Sequence, residues 1–391
     1  MKQYKYLIIG GGMTGDSAAK GIREIDTDGS IGIISRENHP PYNRPPLTKD
    51  LWKGGSVDKI WRGTDKLTAE LHLNTTIKFI DVKSKKVVDK NGEEYHYEKL
   101  LLATGGIPNR FQFGGDDIIY YRLYSDYEHL HSLAKSKNKF GVIGGGFIGT
   151  EIAAALAMNG KEVTMIFPEK YIGKRVFPGD LAEFVTNYYK EKGVNLENEL
   201  RLTDIQKGNS GFTIKTSLGR DITSEVVVAG IGIKPDLKLA VEAGIKTDNG
   251  IIVDEFLQTS IPDVYAAGDV ANFYNPLLDK RIRVEHADNA NKMGKHAGRM
   301  MAGEKQPYNY LPYFYSDMFD VGYEAVGELD SHYETYSDWQ EPFRKGVIYY
   351  LKENKVRGVL LWNVWGKVNA ARDLIGNKAS IKPGELKGRI M

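Results

Sequence analysis

The sequence predicts an α/β fold with two similar strand–turn–helix domains, the second inserted in the first, plus a C-terminal α+β domain. The main observation is an internal repeat at 6–15 and 140–149, where an apolar run leads into three glycines and an apolar helical stretch. Two further apolar runs, 100–106 and 226–232, also end on small residues. A last run of this kind, 264–269, follows the second repeat. We therefore expect the chain to finish the first domain only after it has built the second.

The pattern changes after about residue 306. Alternation with a period of two at 346–351 and 356–364 predicts strands, and 367–375 has helical spacing. The tail from Asn377 carries Lys, Gly and Pro with little periodicity, which predicts loose order. The predicted domains are the first domain at 1–110 and 240–305, the inserted domain at 111–239, and the C-terminal α+β domain at 306–391.

Composition limits the chemistry. The 391 residues include 53 Lys and Arg against 51 Asp and Glu, so the overall charge does not favour nucleic acid or an anionic membrane as an obligate partner. There is no cysteine, which excludes thiolate nucleophiles, disulfides and Cys-ligated metals. We expect no metal site, with His129 and His131 on a solvated helix face. The apolar run 6–9 is too short for a signal peptide or a membrane span, so we expect a soluble cytoplasmic protein.

The first glycine cluster has the spacing Gly10-x-Gly12-x-x-Gly15 and stands between a predicted strand and a predicted helix. In that context the first glycine permits a tight turn and the second lets the backbone approach a pyrophosphate. The third lets the helix pack closely on the strand. These are the features of a Rossmann-like dinucleotide-binding domain. For a single copy, the alternative is a glycine-rich turn that binds nothing.

The second cluster, at 144–149, repeats the same spacing, and the following helix N-terminus offers unpaired amides for a second pyrophosphate. Two clusters predict two dinucleotides. Glu169 stands about twenty-five residues after the first of these glycines, at the end of a strand, where a carboxylate accepts bonds from an adenosine ribose. Such a carboxylate favours NADH over NADPH, although Lys174 and its basic neighbours could weaken that preference. The alternative is a solvated loop charge.

Several motifs resemble one known family. The chain resembles the FAD-dependent pyridine-nucleotide oxidoreductases of the ferredoxin and rubredoxin reductase type in three stretches: PYNRPPLTK at 41–49, ATGG at 103–106 and TSIPDVYAAGD at 259–269. Motifs of the apoptosis-inducing factor-like NADH oxidoreductases are matched, in order, at 167–174, 283–286, 320–324 and 361–363. The resemblance covers nearly the whole chain. It implies FAD in the first domain and NADH in the second, with transfer of a hydride from NADH to flavin N5.

The resemblance implies roles for four side chains. Asp269 corresponds to a residue that bonds the FAD ribitol, and Arg44 to one that lies against FAD near its phosphates. Lys49 and Glu151 correspond to a lysine and a glutamate beside the isoalloxazine ring. We predict an ion pair between them that keeps the glutamate charged near the flavin. The alternatives are a capping Asp, a surface Arg and a purely structural interdomain salt bridge.

Glu285 and His286 open a helical segment that the resemblance places against flavin and nicotinamide. A helix N-terminus at the flavin would stabilise the anionic reduced ring. Because hydride transfer from NADH needs no general base, we expect a packing and backbone role for His286 rather than acid–base chemistry.

The chain also departs from the family pattern. Tyr315 replaces the tryptophan of a Trp-Ser-Asp segment and can still stack on nicotinamide. Asn109 stands in place of a usual arginine. Arg36 occupies a position where an acid is common, so Glu37 becomes the expected ribose acceptor. The remaining predicted nucleotide contacts are Gly11, Gly145, Gly146, Phe147, Ile148, Lys174, Gly232, Glu324 and Asn363.

The sequence therefore predicts an FAD-dependent NADH:acceptor oxidoreductase. Because cysteine is absent, the acceptor must be external: a carrier protein of the ferredoxin or rubredoxin type, a quinone or oxygen. The alternative is a redox-responsive interaction protein, in which NADH forms a long-lived charge-transfer complex and the C-terminal domain responds by changing partner or oligomeric state. A homodimer is compatible with both. A third alternative is an FAD protein whose second site is vestigial.

Overall fold

The computed structural model describes residues 2–390, which form two compact units. The first unit contains the first glycine cluster and consists of residues 2–44, Val57–Ile107 and Lys234–Tyr313. The second contains the second glycine cluster and the C-terminal strands, and consists of Pro45–Ser56, Pro108–Ile233 and 314–390. The predicted limits of three domains stay a prediction.

The helices and strands of residues 2–390 have the following bounds. The helices are α1 Met13–Arg23, α2 Tyr124–Ala134, α3 Phe147–Met158, α4 Gly179–Glu191, α5 Lys238–Glu242, α6 Ala287–Met301 and α7 Val368–Gly376. The strands are β1 Lys2–Ile9, β2 Ile31–Ile34, β3 Ala69–His72, β4 Ile77–Asp81, β5 Lys86–Asp89, β6 Glu94–Leu102, β7 Gly106–Pro108, β8 Ile119–Tyr120, β9 Lys139–Ile143, β10 Glu162–Phe167, β11 Asn195–Asn198, β12 Leu202–Gly208, β13 Gly211–Thr216, β14 Asp221–Ser224, β15 Val226–Ala229, β16 Ile233–Pro235, β17 Thr247–Asp248, β18 Gly250–Ile252, β19 Val264–Ala266, β20 Ala271–Asn275, β21 Lys280–Ile282, β22 Tyr313–Met318, β23 Val321–Gly327, β24 Glu334–Glu341, β25 Lys345–Lys352 and β26 Lys355–Trp362.

The first unit is built on a mainly parallel sheet. Its strand order is β3-β2-β1-β6. β19 pairs in parallel with the last residues of β6, and β5 pairs antiparallel with the first residues of β6 and carries β4 on its other side. The stretch 6–9 of β1 is wholly buried and apolar, as a central parallel strand covered on both faces must be. Since Ile9 is aligned with Leu102, the glycines that follow β1 and β6 emerge at one edge of the sheet. Ligands of doubly wound sheets bind at this carboxyl edge.

The second unit repeats this plan. Its parallel sheet has the order β11-β10-β9-β15-β8, and α3 follows β9 as α1 follows β1. A five-stranded sheet, β22-β23-β26-β25-β24, is formed by the C-terminal segment, with α7 packed on β23 and β26. Large side chains on both of its faces are fully enclosed, and include Tyr323, Tyr349, Tyr350 and Trp362.

Two local expectations are wrong. The tail after Asn377 is not loosely ordered, because Leu386 and Ile390 are 0% and 4% exposed. His129 is exposed as expected, but His131 is only partly exposed: its ring is centred 5.5 Å from that of Trp52, and burial lowers the pKa of His131. In both cases a partner far along the chain covers a locally polar stretch. Across 2–390, no helix is both long and apolar enough to cross a membrane.

Candidate active site

The first glycine turn follows β1 at the carboxyl edge of its sheet. A Cβ on Gly15 would lie 2.0 Å from the carbonyl oxygen of Gly10, so the helix can pack this closely only without a side chain. Gly11 lies against the side chain of the serine that follows β2. A Cβ on Gly12 would meet no atom nearer than Nη2 of Arg44, at 3.9 Å. Gly12 thus borders open space beside a guanidinium, and both features fit a pyrophosphate.

The structure brings Glu37 and Arg44 together. Nη2 of Arg44 donates to Oε1 of Glu37 at 3.0 Å, and the hydroxyl of Tyr42 donates to Oε2 at 2.6 Å. Arg36 instead pairs with Asp236, its Nη1 lying 3.1 Å from Oδ2. The glutamate is therefore held in place beside the glycine turn, as a ribose acceptor should be.

Asp269 and His286 belong to the same unit. Nη1 of Arg283 donates to the carbonyl oxygen of Asp269 at 3.0 Å and also pairs with Glu285. His286 directly precedes α6. Desolvation lowers the pKa of His286 to about 4, and the charge of Asp269 opposes this only in part. The imidazole is therefore neutral at pH 7, which agrees with a packing role rather than proton transfer.

The second glycine turn has the same construction. A Cβ on Gly149 would lie 2.0 Å from the carbonyl oxygen of Gly144, whereas one on Gly146 would meet nothing within 4 Å. Gly145 lies against Phe167 and accepts a backbone hydrogen bond from residue 173 at 3.1 Å. The turn is tight where the helix packs and open where a phosphate would approach. Phe147 and Ile148 begin α3 at this opening, and Ile148 is 37% exposed.

Gly232 follows β15 in the same unit. Its backbone has a φ of 86°, and its carbonyl oxygen accepts from the amide of Asn109 at 3.0 Å. The Asn109 side chain donates to the carbonyl oxygen of Ile231 at 3.2 Å. Asn109 therefore fixes the segment after β15, a structural use for the residue that replaces the family's arginine.

Glu169 lies just beyond β10 and is partly exposed. Nη2 of Arg175 reaches its Oε1 at 2.7 Å, although the Arg175 side chain is 83% exposed. Lys174 is exposed beside it. A carboxylate at this place accepts ribose hydroxyls, and the exposed cations around it could bind an additional phosphate.

The predicted ion pair between Lys49 and Glu151 is present. Glu151 lies in α3 and is only 7% exposed. Its Oε1 accepts from Nζ of Lys49 and, at 2.6 Å, from the hydroxyl of Ser316. Its Oε2 accepts from the hydroxyl of Thr48 at 2.5 Å. Both oxygens of this buried carboxylate therefore accept hydrogen bonds, as buried polar groups require.

Tyr315 and Asp317 complete the surroundings of Lys49. Nζ of Lys49 lies 5.5 Å from the centre of the Tyr315 ring and 3.7 Å from Oδ2 of Asp317. The lysine therefore faces one buried carboxylate, one partly exposed carboxylate and one aromatic ring.

Glu324 lies on β23, and Asn363 directly follows the neighbouring strand β26. Burial raises the pKa of Glu324, whose Oε2 accepts from the amide of Gly366 at 3.2 Å. Asn363 has a φ of 49° and bonds Gly322 in both directions, each at 2.8 Å. Its side-chain amide donates to the carbonyl oxygen of Arg344 at 2.8 Å. Asn363 therefore holds its own turn, and a ligand would have to compete for its amide.

Sequence reasoning missed Thr48, Ser316 and Asp317 as site residues. Each lies within two residues of a predicted one, since Thr48 precedes Lys49 and the other two follow Tyr315. The signal was this proximity: in β22, Ser316 is buried between the partly buried Tyr315 and Asp317.

Comparison with known proteins shows to which family the chain belongs. Residues 4–294 match the model described as pyridine nucleotide-disulphide oxidoreductase. The chain belongs to this family. Residues 297–342 and 336–377 match the mitochondrion-associated C-terminal model of apoptosis-inducing factor.

Relatives of this oxidoreductase cover nearly all of it. Apoptosis-inducing factor 1, mitochondrial, of Dictyostelium discoideum is 34% identical, over 98% of this chain and 80% of its own. Monodehydroascorbate reductase 3 of Arabidopsis thaliana is 36% identical, over 92% and 89%. The structure of a covalent putidaredoxin reductase–putidaredoxin complex matches with a TM-score of 0.91 and 26% identity, over 99% and 96%.

The predicted family, fold class and activity are confirmed: the protein is an FAD-dependent NADH oxidoreductase with two dinucleotide-binding domains. The family description includes a disulphide, but this chain has no cysteine and cannot form one. The individual site residues stay predictions.

Proposed function

We propose that the first unit binds FAD through the residues that its motifs indicate. Gly12 would receive the pyrophosphate, because it borders open space beside the Arg44 guanidinium. Glu37, held by Arg44 and Tyr42, would accept the ribose hydroxyls. The full proposed set is Gly10, Gly11, Gly12, Gly15, Glu37, Arg44, Asp269, Glu285 and His286.

NADH would bind the second unit at the open turn around Gly146. Glu169 would accept the adenosine ribose, which favours NADH over NADPH. Arg175 is exposed and already paired with Glu169, so the preference should be finite rather than absolute. The remaining proposed contacts are Gly145, Phe147, Ile148, Lys174, Gly232, Tyr315, Glu324 and Asn363.

The observation that carries the catalytic proposal is the enclosed Glu151 carboxylate with its bound Lys49. FAD, when bound, supplies the redox chemistry by accepting a hydride from NADH and releasing its electrons to an acceptor. Glu151 and Lys49 supply fixed charges that need no reorganisation, because both side chains are at most 10% exposed and already paired. They hold charge and orientation, and neither has to move a proton.

The acceptor would be external, since the chain has no thiol to receive electrons. Relatives include a putidaredoxin reductase seen with putidaredoxin and a rubredoxin oxidoreductase of Clostridium acetobutylicum. A small carrier protein of the ferredoxin or rubredoxin type is therefore the first acceptor to test, with a quinone and oxygen next. A cytoplasmic location stays part of this proposal.

A second candidate function rests on the C-terminal match to apoptosis-inducing factor. In this case NADH would drive a change of partner or oligomeric state, for example formation of a homodimer, rather than steady turnover. The two functions differ in what happens after reduction.

Anaerobic titration with NADH and NADPH, followed by a screen of acceptors, tests the proposal. We expect NADH to bleach the flavin, and a carrier protein or quinone to restore its colour rapidly. A persistent long-wavelength absorbance band with a change in molecular size would favour the interaction protein. Failure of NADH to bleach the flavin would refute both.

A further inference from the structure

Ser316 is a buried polar residue between two neighbours that are only partly buried. It lies in β22 and is 1% exposed. Its hydroxyl donates to Oε1 of Glu151 at 2.6 Å. Glu151 belongs to α3, so this contact joins the C-terminal sheet to the helix that follows the second glycine turn.

The donors around Glu151 divide into one charged group and two neutral groups. Lys49 and Ser316 share Oε1, while Thr48 alone occupies Oε2. A lysine ammonium can follow a rotating carboxylate, because its side chain is long and its charge is not directional. Hydroxyl donors on opposite oxygens fix the plane of the carboxylate, since each has one short bond to satisfy.

Tyr323, on β23, is the other buried polar side chain next to this carboxylate. Burial, and next the charge of Glu151, raise the pKa of Tyr323 well above its usual value, so this phenol is neutral and adds no second charge beside Glu151.

We propose that Ser316 is a positioning residue of the reductive site, which acts through Glu151 and makes the rate of flavin reduction depend on the C-terminal sheet. This inference rests on the role proposed above for Glu151. Because Ser316 reaches the carboxylate and no predicted nucleotide contact, its removal should change the rate of reduction rather than the affinity for NADH.

The test is anaerobic stopped-flow reduction of the holoenzyme by NADH, with the limiting rate and the apparent Kd measured separately. For Ser316→Ala we expect the limiting rate to fall about tenfold, as for loss of one hydrogen bond to a charged group. The apparent Kd should stay within about twofold. Ser337→Ala, on β24 of the same sheet, is the matched control and should match the wild type.

A double variant separates positioning from general destabilisation. In the Glu151→Gln background, Ser316→Ala should slow reduction by less than about twofold, because the charged partner is gone. The same tenfold loss in both backgrounds, or an unchanged rate in Ser316→Ala, would overturn the proposal. If Ser316→Ala fails to hold FAD, Ser316→Cys takes its place. It keeps the size of the side chain but donates only weakly, and an unchanged limiting rate there would equally count against the proposal.

These outcomes stay distinct from failure of the proposed function. Absence of any reduction of the wild-type flavin by NADH would remove the function itself. A wild type that is reduced normally, with variants that do not differ from it, would remove only the role of Ser316.

Discussion

Replacing Glu151 by glutamine is the most direct test of the enclosed carboxylate. Glutamine keeps the shape of the side chain but replaces one acceptor oxygen by an NH₂ group. That group would face a donor, since both oxygens of Glu151 accept hydrogen bonds from Lys49, Thr48 and Ser316. The charge opposite Lys49 is lost as well.

The size of the effect follows from these contacts. A hydrogen bond to a charged group contributes about 1.5–3 kcal/mol. If one such interaction is lost in the transition state, flavin reduction slows by about 10-fold to 160-fold. FAD should remain bound, because its proposed contacts lie in the first unit and Glu151 in the second. Lys49 keeps a carboxylate neighbour, with Nζ 3.7 Å from Oδ2 of Asp317, so the fold should survive.

The assay is anaerobic stopped-flow reduction by NADH, with FAD content measured from the absorbance of the purified protein. Glu162→Gln makes the same chemical change on a side chain that is 48% exposed, and should leave the rate unchanged. A Glu151→Gln protein that holds FAD and is reduced as fast as the wild type would refute the argument from the enclosed charge.

Three further predictions concern the remaining site residues. Glu169→Ala should lower the ratio of kcat/KM for NADH to kcat/KM for NADPH by about tenfold, because the ribose acceptor is lost and Arg175 is released. An unchanged ratio would contradict the assignment of Glu169 as the ribose acceptor. Gly146→Ala should leave Tm nearly unchanged and raise the apparent Kd for NADH. Gly149→Ala should instead lower Tm, because its Cβ would lie 2.0 Å from a carbonyl oxygen. If thermal melts and NADH titrations showed equal effects for the two variants, the different roles of the two glycines would be refuted. Since the pKa of His286 is lowered to about 4, the unfolded chain binds a proton there before the folded one, so stability falls as the pH drops from about 6.5 towards 4. Denaturant unfolding of His286→Gln should show a smaller pH slope in this window, by up to about one proton, and an unchanged slope would contradict the desolvation of the imidazole.

The sequence predicted what is encoded locally. Both glycine turns were found because their spacing, the preceding strand and the following helix lie within a short stretch. The pairing of Lys49 with Glu151 came from resemblance, since nothing local links them. Thr48 and Ser316 were missed because their partner lies 103 and 165 residues away.

The tail after Asn377 is a second case in which the local sequence failed to predict a distant contact. Leu386 and Ile390 are isolated apolar residues in a polar stretch, so no periodicity marks them as buried. Their burial depends on the sheet of β22–β26, to which the amide of Gly388 also donates, reaching Oδ2 of Asp338 at 2.7 Å. A sequence pattern within one segment cannot predict burial by a different segment.

The convergence of distant donors on Glu151 has a consequence for the order in which the protein folds. The partners of this carboxylate lie 102, 103 and 165 residues from it along the chain. Closing such long loops is slow compared with forming α3 and the strand before it. Until the loops close, a charged side chain would be desolvated without partners, so the last packing of α3 should wait for them. We expect the capacity to reduce the flavin to appear in refolding only after these long loops have closed, later than the helices.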